Sequence, residues 1–92
     1  MKIPDKVKIQ GVTYKVIIAD DWVGSFNTYG ETFQNKKQGN VIYIKSDLSD
    51  EAKMNTFIHE CLHCMNSTMN HEFLDSLATQ LYQFLTENNL LK

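Results

Sequence analysis

The 92 residues supply one domain's worth of chain, and 42% hydrophobic with 22% charged residues is a globular balance that excludes a disordered polymer. A net charge of −2 with no clustered basic face argues against a nucleic-acid binder. No run of about 18 apolar residues is present, which argues against a membrane span. The start Met1-Lys2-Ile3-Pro4-Asp5 lacks the apolar stretch of a signal peptide, so the expected compartment is the cytoplasm.

In chain order, the first half carries strand patterns. Lys6-Val7-Lys8-Ile9-Gln10 alternates polar and apolar residues, as a half-buried strand does. Gly11 punctuates, and the β-branched and aromatic run Val12-Thr13-Tyr14-Lys15-Val16-Ile17-Ile18 is its hairpin partner. Asp20-Asp21 ends that run, and residues 22–24 read as a loop. Residues 25–34, with Phe26, Tyr29 and Phe33, form a third strand with a bend at Gly30. Asn35-Lys36-Lys37-Gln38-Gly39-Asn40 is a turn by composition, and Val41-Ile42-Tyr43-Ile44-Lys45 is the strongest strand pattern of all.

The period then changes from 2 to 3.6. Ser49 suits an N-cap, and Asp50 and Glu51 place negative charge in the first helical turn. Met54, Phe57, Ile58, Cys61, Leu62 and Met65 follow as one apolar stripe. Asn66-Ser67-Thr68-Met69-Asn70 is a polar break in which Asn70 can cap a second helix. The expected buried face of that helix is Phe73, Leu74, Leu77, Ala78, Leu81, Phe84 and Leu85, and Asn88-Asn89 ends it. Three to four strands followed by two helices predict one α+β domain over residues 1–92 with a small antiparallel sheet.

The first helix contains His59-Glu60-Cys61-Leu62-His63, an HExxH pattern. Histidines four apart stand on one helix face, one turn apart, where both can bind a single zinc ion. The adjacent Glu60 is placed to act as general base toward a zinc-activated water. A solvated helix face carrying two histidines by chance is the competing reading. Against it, the motif lies in register within an amphipathic helix and its histidines border the apolar stripe. Cys61 and Cys64 have CxxC spacing, yet both fall inside the helix, where two cysteines three apart rarely meet disulfide geometry. Cys61, on the stripe, reads as a buried small hydrophobe.

Catalytic zinc takes three protein ligands and leaves its fourth position to water. The third is expected from the second helix, where the candidates are His71, Glu72 and Asp75. If the helices run antiparallel about a reversal near Met69, residue 63 is level with 75 and residue 59 with 79. Asp75 is then at ligand height, on the edge of the buried face, and His71 stands about 6 Å too near the turn, at 1.5 Å per residue. Glu72 falls nearly opposite that face. The expected metal ligands are therefore His59, His63 and Asp75, with one zinc ion per chain; for His71 the readings are an outer partner that orients the carboxylate or helps stabilise an oxyanion, or, more often for such a residue, one simply exposed at the helix start.

These residues resemble the small HExxH metallopeptidase-like proteins of bacteriophages and bacterial mobile elements, which are similar to the ImmA/IrrE metallopeptidases. The likeness runs through Val41-Ile42-Tyr43-Ile44, Leu48-Ser49-Asp50-Glu51, Phe57-Ile58-His59-Glu60-Cys61-Leu62-His63 and Asp75-Ser76-Leu77-Ala78, then Leu81-Tyr82-Gln83-Phe84-Leu85. Its specific part is HExxH. It implies a minimal gluzincin-like core and a zinc peptidase of a bacterial or phage-infected cell, with Glu60 catalytic and His59 and His63 as ligands. Asp75 falls where the family usually has glutamate, one methylene longer. The implied partner is a peptide or protein substrate, held by strand addition along residues 25–34 or 41–45, with neither nucleic acid nor membrane. A zinc-stabilised module that docks to a phage or host protein without catalysis is the alternative.

Overall fold

The computed structural model describes residues 2–20, 30–35, 39–66 and 68–90. Its elements are β1 (Lys6–Ile9), β2 (Val12–Ala19), β3 (Gly30–Asn35), β4 (Gly39–Lys45), α1 (Asp50–Met65) and α2 (His71–Glu87). Strands come first and helices second, so the chain is α+β. The expected loop at 22–24, the 25–29 part of the third strand and the middle of the turn at 36–38 lie outside the described residues.

Gln10 and Gly11 close the first hairpin as a two-residue turn, with Ile9 opposite Val12. Both have positive φ, +51° and +82°, as the turn types that match strand twist require. The turn also touches α1: Gln10 Nε2 donates to the Met65 carbonyl at 3.3 Å.

The strand order is β1-β2-β4-β3. β1 and β3 pair antiparallel with β2 and β4, whereas β2 and β4 are parallel, with Tyr14 opposite Asn40 and Ile18 opposite Ile44. The sheet is thus mixed, where the sequence pointed to an antiparallel one. The physical reason lies in β4: its unbroken run Val41-Ile42-Tyr43-Ile44 suits a central strand, and it inserts between β2 and β3. Gly30-Glu31-Thr32-Phe33-Gln34-Asn35 is more polar and takes the edge.

One sheet face carries Tyr14, Ile42 and Ile44, and these pack with Ile9 against Met54, Phe57 and Cys61 of α1. α1 starts where expected, Ser49 Oγ accepting from the Ala52 amide at 3.1 Å. α2 starts at Asn70, whose Oδ1 accepts from the amides of Glu72 and Phe73 at 2.9 and 3.2 Å. Among the described residues α2 packs along α1 and not across the sheet. With a single helix as neighbour it buries a narrower stripe than its periodicity predicts. Leu74 and Ala78 are buried, while Phe73 and Phe84 are 58% and 55% exposed. Among the described residues no helix is long and apolar enough to cross a membrane.

Candidate metal centre

The site lies on the seam between α1 and α2. His59 and His63 project from α1 one turn apart, with ring centroids 4.7 Å from each other. His71, the first residue of α2, meets both, at 5.0 Å from His59 and 5.5 Å from His63. One ring nitrogen from each of the three lies within 4.8 Å of the other two, close enough to hold a metal ion. The donor set is three imidazoles, a chemistry suited to zinc, copper, iron and nickel.

Asp75 was expected in the third ligand position. Its Oδ1 instead accepts from His59 Nδ1 at 2.8 Å, and the third nitrogen of the cluster comes from His71. His71 rather than Asp75 thus stands beside His59 and His63, and the helix register explains why. His59 is level with Asp75 and Asn55 with Thr79, a register that brings the start of α2 at His71 to the height of His63. The expected level of Asp75 was His63, one turn or about 6 Å away. The connection accounts for the shift. Asn66 and Asn70 are both extended, and Thr68 folds back onto Asn66 through its amide and hydroxyl. These residues carry the chain across and back, so α2 begins level with His63 rather than at the end of α1. Glu72 is exposed and stands outside the histidine cluster.

The Asp75 contact favours one tautomer of His59. With Nδ1–H donating to the carboxylate, His59 presents Nε2 as a lone pair. Glu60 is on the inner side of the same turn. Its side chain is 8% exposed, and Oε2 lies 3.9 Å from His59 Nε2, so the carboxylate faces the side of the imidazole that carries the free lone pair.

Burial favours the ligating, neutral form of His59 and His63. His59 is held below the ordinary histidine value, chiefly by burial; the carboxylates of Glu60 and Asp75 oppose that shift, and the imidazoles of His63 and His71 add to it. His63 is lowered too, first by burial and then by His71, against the pull of Asp75. Neutral imidazole is what a metal ion needs. Exposure rises from His59 to His71, so the cluster opens to solvent on the α2 side.

The cysteines play no part in it. Neither forms a disulfide, and burial, followed by Cys64 and Glu60, pushes the Cys61 thiol up to about 12. A thiol so far from ionising is a core side chain, as its packing against Met54 and Phe57 indicates. No protein-family model, curated protein or solved structure matches the chain.

Proposed function

We propose that this chain is a minimal zinc-dependent peptidase in which His59, His63 and His71 hold the metal and Glu60 is the general base. The convergence of three imidazole nitrogens beside a buried carboxylate carries the reading. Three protein ligands and a solvent-facing side match the open arrangement of catalytic zinc, where a structural ion takes four closed ligands. When bound, zinc would lower the pKa of a water toward 7 and polarise a carbonyl oxygen.

The chain's own groups supply the rest. Asp75 holds the Nδ1 proton of His59, fixing ring orientation and strengthening Nε2 as a donor. Glu60 takes a proton from the attacking water and delivers it to the departing amine nitrogen, so both transfers run through one carboxylate. The substrate is an extended peptide. β4 cannot receive it by strand addition, since β2 and β3 flank it on both sides; β3 is an edge strand and can.

The test is Glu60→Gln in the zinc-loaded chain, assayed against a peptide library. The expected result is unchanged zinc content with cleavage reduced by at least a hundredfold, in line with the loss of a general base. A chain that needs zinc for its fold but cleaves nothing, and whose biological effect survives Glu60→Gln, would instead be a zinc-stabilised binding module.

A further inference from the structure

The pairs His59–Asp75 and His63–His71 are two rungs of a ladder, and a third rung lies one turn nearer the start of α1. Asn55 Nδ2 donates to Thr79 Oγ1 at 3.1 Å, and Thr79 Oγ1 donates to the Asp75 carbonyl at 3.1 Å. Residues 55, 59 and 63 descend one face of α1 in steps of a turn, and 79, 75 and 71 descend beside them on the facing side of α2.

The direction of these bonds is constrained. Because the Thr79 hydroxyl proton goes to the Asp75 carbonyl, its oxygen needs a donor, which turns Nδ2 of Asn55 toward it. The Oδ1 of Asn55 is then buried, and it has no hydrogen-bond partner among the described residues. A buried acceptor left in this way costs stability, and an apolar side chain of similar size would avoid that cost. The amide is thus a poor choice for packing and a good one for fixing position. Leu74 and Ala78, the buried contacts of α2, tolerate small sliding, because apolar contact is not directional. A slip of one residue along α2 would move His71 by about 1.5 Å and turn it by about 100°.

We propose that Asn55 and Thr79 are positioning residues that set the axial register of α2 on α1, and through it the approach of His71 and Asp75 to His59 and His63. This inference rests on the metal-centre reading above. The test is a Co2+ titration of the full chain, followed by its visible absorption, together with thermal unfolding of the metal-free protein. The samples are the natural chain and the variants Asn55→Leu, Thr79→Val, Thr79→Ser and His63→Ala.

Asn55→Leu is expected to unfold no earlier than the natural chain when metal-free, yet to bind Co2+ at least tenfold more weakly, as outer partners of metal ligands do. Thr79→Val should weaken binding similarly, and Thr79→Ser, which keeps the hydroxyl, should restore it. Equal Co2+ affinity in the natural chain, Asn55→Leu and Thr79→Val, with binding abolished in His63→Ala, would overturn the register role and leave the metal centre standing. No Co2+ binding by the natural chain, or full binding by His63→Ala, would overturn the metal centre and this inference with it. Thr79 is exposed, so Thr79→Val decides the matter if Asn55→Leu fails to fold.

Discussion

At His59 two opposing influences meet on one imidazole. Burial favours its neutral form and the carboxylates of Glu60 and Asp75 favour its charged form, with burial the larger. The consequence for the metal-free chain has a definite sign. His59 and His63 both lie below the ordinary value of 6.5 when folded, so the unfolded chain binds protons first as pH falls. The stability linked to these residues is complete above about pH 6.5 and is lost as pH drops through their lowered folded values. Denaturant unfolding of the metal-free protein between pH 8 and pH 5 should show this decline, and His59→Asn with His63→Asn should flatten it. Asp75→Asn tests the proposed roles of Asp75 and His71. It should reduce zinc affinity ten- to a hundredfold, as loss of a histidine's outer partner does, whereas His71→Ala should remove more. Equal affinity in His71→Ala and the natural chain, with binding lost in Asp75→Asn, would return Asp75 to the ligand position. HExxH made His59, Glu60 and His63 readable because their relation is set within one helix. The place of His71 in the cluster was not readable, because its height depends on how Asn66, Thr68 and Asn70 fold the connection, and a shift of one turn is enough to exchange it with Asp75.

Among the elements, α2 is the one held by least. Its buried contacts are Leu74 and Ala78 against α1, and it brings both His71 and Asp75 to the site. Leu74→Ala should therefore destabilise the chain by about 2–5 kcal/mol, the range for a fully buried leucine, and should loosen metal binding in parallel. The Gln10-Gly11 turn is a separate case. An added Cβ at Gly11 meets nothing within 4 Å, so the cost of Gly11→Ala is the left-handed backbone alone, about 1–2 kcal/mol by urea unfolding. Both helices were legible in the sequence because caps and period are local signals: Ser49 and Asn70 cap as expected. The parallel pairing of β2 with β4 was not. Alternation marks a strand but says nothing of its neighbour, and β4 reaches β2 only after the chain has passed through β3. The width of the α2 stripe misled for a related reason: Phe73 and Phe84 keep helical period with Leu74 and Leu77, but no second element is packed there among the described residues.

On the scale of the whole molecule, a 92-residue chain in which, among the described residues, one helix packs on one face of the sheet has a small core, and a bound ion would add to its stability by mass action. Zinc at a hundred times its dissociation constant should stabilise the fold by about 2.7 kcal/mol, raising the unfolding temperature, and a chelator should reverse the gain. The fold holds α1 against the sheet and leaves the α1–α2 seam facing solvent, so the ion would be placed where a substrate can reach it. The most direct measurement of the central claim is X-ray absorption at the zinc edge on the purified, zinc-loaded chain. One zinc per chain is expected, with three imidazole nitrogens at about 2.0–2.1 Å and one oxygen donor. A zinc–sulfur distance near 2.3 Å, only two imidazoles, or no stoichiometric zinc at all would contradict a centre built from His59, His63 and His71.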